Sequence, residues 1–200
     1  MVGVSKTIRQ SDFEQPGFVA HATDIADPQA TQKSVDEIVA RFGKIDVLAH
    51  LVGGFAGGKT IAETDDATFR SMLDLNLHSA FHMLRAAIPH MRRAKAGRII
   101  VIGSRAAEDP GPGVGAYSAS KAALVSLVRT VALENKDLPI TANVILPGTM
   151  DTAANRAAMP KADTSKWVQP ARVAGLIVWL ASEPGKDVNG AAIPVYGSDL

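Results

Sequence analysis

The chain has 200 residues, with 21 Lys and Arg against 20 Asp and Glu for a net charge of +1. Hydrophobic residues at 46%, charged residues at 20% and a mean hydropathy of +0.09 exclude a disordered or coiled-coil chain and suit one well-buried domain over residues 1–200. The balanced charge gives no reason for a nucleic-acid or membrane-surface partner, and the absence of cysteine excludes disulfides, thiolate nucleophiles and cysteine-bound metals. A reducing compartment is compatible with that composition, and the chain reads as cytoplasmic. Met1–Gln10 lacks the apolar segment of a signal peptide, and the longest strongly apolar run, Val173–Ala181, is far too short to cross a membrane.

In chain order, short aliphatic runs alternate with amphipathic stretches, the pattern of successive strand–helix units. Val2–Val4 reads as the end of a strand and Phe18–Ala22 as the next. A helix over Pro28–Phe42 opens on Asp27 as N-cap with proline at its first position and stops at Gly43. Its apolar residues Val35, Ile38, Val39 and Phe42 repeat at helical spacing, so this stripe is expected to face a sheet. Strands follow at Asp46–Leu51, Arg98–Gly103, Ile140–Leu146 and Ala191–Tyr196, and helices at Asp65–Ala94, Gly115–Lys136 and Pro170–Ala181. A run such as Ile99–Ile102 needs burial on both faces, which predicts a parallel sheet with helices above and below. In this doubly wound α/β architecture ligands bind beyond the carboxyl ends of the strands.

Those strand ends carry Asp24 and Ile25, then Val52-Gly53-Gly54, then Ser104, then Pro147-Gly148 with Thr152. Tyr117 and Lys121 stand four apart at the start of the helix after Ser104 and so share a helical face. Tyr-x-x-x-Lys alone is a weak signal. A Ser 13 residues before the Tyr, an Asn 41 before it and a Pro-Gly-x-x-x-Thr at the next strand end make accident improbable. His78, His82 and His90 share one helix at mixed spacing with no carboxylate partner evident, so no metal site is expected. His50 reads as a satisfied strand-end histidine, Met72 and Met83 as core filler, and Trp179 as core or subunit interface.

Together these residues resemble the short-chain dehydrogenase/reductase family, from about Val2 to Tyr196. The resemblance implies a catalytic set of Asn76, Ser104, Tyr117 and Lys121 and a nicotinamide-dependent oxidoreductase acting on a small molecule. Tyr117 would move the proton and Ser104 would hold the substrate oxygen. Asn76 would bind a water linking Lys121 to solvent. A phenol with an ordinary pKa near 10 needs about 4 kcal/mol of phenolate stabilisation to work near pH 7, and Lys121 is the expected source. Cofactor contacts carried over from the family are Asp24 and Ile25 at the adenine, His50, Val52 and Gly53 in place of Asn-Asn-Ala-Gly, and Tyr117 and Lys121 at the ribose. Pro147, Gly148 and Thr152 would meet the carboxamide. Ser5 and Lys6, standing where an acidic residue would select NAD, favour NADP.

Val52–Gly58 and the stretch 151–167 resemble the dihydropteridine reductase branch, which leaves a pterin-like or a general carbonyl substrate open. The family's Gly-rich turn, with its strand and helix, would precede Val2, and no Gly-x-x-x-Gly-x-Gly occurs near the start. The expectation is therefore an N-terminally truncated, Rossmann-like sheet that is either gapped or closed across the missing central strand. Without the helix N-terminus that receives the pyrophosphate, dinucleotide binding is expected to be weak. A homodimer or homotetramer is implied by the family. The alternative reading is a non-catalytic remnant serving as an assembly or regulatory subunit.

Overall fold

A computed structural model of the protein describes residues 1–198. Its strands are β1 (Val2–Ser5), β2 (Val19–Ala22), β3 (Val47–His50), β4 (Gly97–Ile102), β5 (Ile140–Pro147) and β6 (Ala192–Val195). Its helices are α1 (Pro28–Phe42), α2 (Asp66–Leu73), α3 (Ser79–Ala94), α4 (Gly115–Glu134), α5 (Ala153–Ala158) and α6 (Pro170–Ala181). All pairings between strands are parallel, in two ladders: β1 with β2, and β3-β4-β5-β6 in that order. The sheet is thus gapped between β1 and β3, where no ladder joins the described residues.

The two-faced burial predicted from Ile99–Ile102 is what places the helices. Ile99 and Val101 lie in a cluster with Leu84 and Met91 of α3 and Leu124, Val128 and Val131 of α4. On the opposite face Ile100 joins Ile145, Val168 and Val173 and Leu180 of α6. A third cluster, Ile25, Val35, Met83 and Ala86, ties Val4 of β1 to Leu48 of β3 through α1 and α3. The two ladders are therefore held against one helical layer by side chains rather than by main-chain bonds.

Asp27 caps α1 by accepting from the amides of Gln29 (2.7 Å) and Ala30 (3.0 Å), and Gly43, at φ +85°, ends it by donating to Val39 O. The predicted stripe is rotated: Thr31, Ser34 and Val35 are buried, whereas Phe42 is about half exposed beneath the Arg41 guanidinium. The single long helix expected over Asp65–Ala94 is two helices joined by a π-turn at Asp74–His78, centred on a fully buried Asn76. A π-turn widens the ladder by one residue and re-aims the side chain inside it, here toward the loop after β3 and toward α4. Met72 and Met83 are buried as expected, and Trp179 is 44% exposed, outside the core.

The burial difference predicts a mutational contrast. Leu124→Ala, at a fully enclosed site, is expected to cost about 2–5 kcal/mol, and Val178→Ala on the outer side of α6 less than about 0.5 kcal/mol, in urea unfolding monitored by circular dichroism.

Candidate active site

β4 and β5 end side by side, with Gly103 N donating to Ile145 O at 2.8 Å, so the residues following each are neighbours at the carboxyl edge. Ser104 follows β4 in an extended conformation and caps the short helical turn Arg105–Ala107 by accepting from Ala106 N at 3.2 Å. The Ser104 hydroxyl also lies close enough to the Tyr117 phenol, in the first turn of α4, to pull that group's pKa down. One turn later the Lys121 ammonium is buried and donates to Ile102 O at 3.0 Å. Hydroxyl, phenol and ammonium converge on one strand end.

Asn76 closes this cluster from the side. Its Oδ1 accepts from Gly54 N (2.9 Å), and its Nδ2 donates to Gly54 O (3.0 Å) and to Ser120 Oγ (3.0 Å), which in turn donates to Tyr117 O (2.7 Å). The amide thus pins the loop after β3 to the Tyr117 helix. Gly53 is required there: a Cβ would stand 2.8 Å from Asn76 Oδ1 and 3.0 Å from Lys121 Nζ. Sequence reasoning assigns no role to Gly54, Ser120 or Phe55. Phe55, 67% exposed, meets the Tyr117 ring edge-on with centroids 5.0 Å apart. Its run of flanking glycines is the available signal.

Burial sets the protonation states. It pushes Lys121 down to about 8, and it pushes the Tyr117 phenol above its ordinary value, opposed by the Ser104 hydroxyl. His50, at the end of β3, is held down to about 4 by burial and then by the Lys121 charge. Its Nε2 is buried without a partner, which corrects the reading of a satisfied histidine.

The other expected contacts are dispersed. Lys6 and Asp24 pair with each other at 2.7 Å beyond β1 and β2, Asp24 also accepts from Ala26 N, and Ser5 O accepts from Thr23 N. Ile25 and Val52 pack into the third apolar cluster. Pro147 ends β5, Gly148 N donates to Val195 O, and the Thr152 hydroxyl caps α5 by accepting from Asn155 N at 3.2 Å. Carboxylate partners missed in the sequence exist for His78 (Asp74, 2.8 Å) and His90 (Asp36, 2.8 Å). No metal-binding cluster occurs among the described residues.

The fold and this constellation define a Rossmann-like oxidoreductase with a Ser–Tyr–Lys site. The pattern of the short chain dehydrogenase family matches residues 3–163, and the chain belongs to that family. The 3-oxoacyl-[acyl-carrier-protein] reductase MabA of Mycobacterium tuberculosis is 32% identical over 90% of this chain and 76% of its own length. The cyclic-di-GMP-binding biofilm dispersal mediator protein of Escherichia coli is 33% identical over 97% and 82%. Among solved structures, a Serratia marcescens short-chain dehydrogenase/reductase mutant superposes with a TM-score of 0.82 at 32% identity, covering 90% of this chain and 76% of that one. ElxO with NADP bound superposes at 0.85 over 90% and 77%; at 23% identity it speaks to the fold alone. Membership makes the chain an NAD(P)-dependent oxidoreductase. No helix among the described residues is long and apolar enough to cross a membrane.

The burial of Lys121 has a stability signature. Between pH of about 8 and 10.4 the unfolded chain keeps a proton that the folded chain has released, so stability rises with pH across that window. Lys121→Met is expected to be more stable than the parent at pH 7 by on the order of 2 kcal/mol, with the gain fading toward pH of about 10.4, in urea titrations at several pH values. Equal or lower stability at pH 7 would contradict it. On the acid side, stability falls from pH of about 6.5 to 4 as the unfolded chain takes up the proton that buried His50 refuses, and His50→Asn is expected to flatten that slope.

Proposed function

We propose that the chain reduces a small carbonyl compound, a ketone or a pterin-like substrate, with NADP(H) as cofactor. The observation that carries the reading is the convergence of Ser104, Tyr117 and Lys121 at one strand end, braced by Asn76. The ribose side of a nicotinamide nucleotide suits this site. Lys121 has three protons, Ile102 O takes one, and the other two can serve a pair of hydroxyls from a buried position. The unpartnered Nε2 of His50 is a further polar atom left to a ligand or water. The nicotinamide supplies the hydride when bound.

The protein's residues handle the oxygen. Ser104 donates a hydrogen bond to the carbonyl oxygen as negative charge builds on it, and Tyr117, kept protonated by burial, gives that oxygen its proton. Phe55 walls the substrate side of the phenol. Pro147, Gly148 and Thr152 border the same edge from β5. On the adenosine side, Lys6 lies 73% exposed against Asp24, where its charge can hold a 2′-phosphate in place of the carboxylate. Exposed Phe69 and Phe81 on the α2–α3 side, with Val178 and Trp179 on α6, support a homo-oligomer, which sedimentation would size.

Oxidation of NADPH against a ketone panel and quinonoid dihydropterin tests the reading. Tyr117→Phe is expected to abolish turnover, Ser104→Ala to lower kcat about 10–1,000-fold, and Lys6→Ala to erode the preference for NADPH over NADH. Turnover that survives Tyr117→Phe would refute the assignment.

A further inference from the structure

The segment after β5 leaves the sheet and returns to it through a narrow stem. Asp151 N donates to Val168 O and Val168 N to Thr149 O, both at 2.8 Å, and Met150 and Val168 form an isolated parallel bridge. Val168 itself is 1% exposed, in the cluster beneath α6. Between the ends of this stem, α5 and the short turn Thr164–Lys166 contain no buried residue. The stem is held by main-chain bonds and by buried Val168, and α5 and the turn have no buried side chain of their own to fix their attitude.

A carboxylate ties the two together. The Asp151 side chain is only 11% exposed, and it accepts from Arg156 Nε at 2.5 Å and Nη2 at 2.8 Å, a two-pronged contact reaching back from α5. Gln169 Nε2, at the far end of the stem, donates to the same carboxylate at 2.9 Å. Asn155 Nδ2 adds a bond to Met150 O at 2.8 Å. One shielded anion thus joins loop body, outgoing stem and returning stem. Fork-shaped, charge-assisted contacts of this kind constrain orientation as well as supplying energy.

We infer that Asp151 is a positioning residue for the reaction: through Arg156 and Gln169 it latches the loop 152–167 onto the end of β5, beside Ser104, and so sets how the carbonyl substrate is held. The inference rests on the proposed function for its substrate. Asp151 touches no reacting atom. Its effect runs through the loop, so it belongs in substrate binding more than in the proton-transfer step.

Arg156→Met keeps the aliphatic stem and removes the fork. It is expected to raise KM for the carbonyl substrate about tenfold while kcat and KM for NADPH stay within about twofold, and Arg156→Lys to recover part of the loss. In a Trp179→Phe background Trp167 is the sole tryptophan and reports the loop directly. Its emission is expected to shift in Arg156→Met, and trypsin to cut at Lys161 and Lys166 about tenfold faster, although the substitution deletes a tryptic site. Unchanged KM in a variant of an active protein overturns the inference and leaves the proposed function standing. A parent protein without turnover on any carbonyl refutes the proposed reaction instead, and the proteolysis then decides alone: cleavage no faster than in the parent overturns the latch.

Discussion

A cation shut away from water at the carboxyl edge of a parallel sheet is the constraint around which the site is arranged. Burying an ammonium is unfavourable, and a single carbonyl bond from Lys121 to Ile102 O does not offset it, as the displacement of Lys121 to about 8 records. The surroundings accommodate that charge. His50, which feels the Lys121 charge, stays neutral, and Gly53 yields its side chain so that the main chain can approach. The Asn76 amide directs its bonds to neutral groups of the loop and of α4. A protein selected for stability alone would place a methionine at position 121. In the proposed reaction, the lysine at this position exchanges folding energy for chemistry.

The π-turn follows from the same constraint. An α-helix running unbroken from Asp66 to Ala94 would bury its apolar stripe against β4 but would bring no polar group to the loop after β3. One extra residue in the turn at Asp74–His78 swings Asn76 inward while Met72 before it and Ala80, Met83 and Leu84 after it keep their contacts. The amide then satisfies both polar groups of Gly54, which would otherwise be left without partners beneath the loop. Phe55, the next residue, is presented to the Tyr117 ring as a consequence. The gap between β1 and β3 shows which parts of the sheet depend on main-chain pairing. Val47 and Leu51 remain 41% and 61% exposed around β3, whereas the fully laddered β5 is buried throughout.

What was legible in the sequence follows from the range of each interaction. Strand–helix alternation, the Asp27-Pro28 start, the Gly43 stop and the two-faced burial of Ile99–Ile102 are local or periodic and can be read directly. The grouping of Ser104, Tyr117 and Lys121 could be read because their spacing is that of one strand end and one helical turn. The Asn76–Gly54 clamp spans 22 residues and depends on a local widening of a helix that no spacing reveals. The Lys6–Asp24 pair links the ends of adjacent strands, so two residues read as separate ligand contacts are in fact partners. The orphan nitrogen of His50 and the Asp151 latch depend on what surrounds a side chain in space, which a single sequence does not carry.

The state of the phenol sets the direction of the chemistry. Burial raises Tyr117 above its ordinary value, so near neutral pH the side chain is a proton donor, and the Ser104 hydroxyl pulls only part of the way back. A donor held beside a second hydroxyl suits an oxygen that gains negative charge, which happens when a carbonyl carbon accepts a hydride. Removing a proton from an alcohol would instead require the phenolate, a form this apolar surrounding disfavours and which only a nearer positive charge could rescue. In the proposed reduction the protonated phenol is therefore the form that the carbonyl oxygen needs.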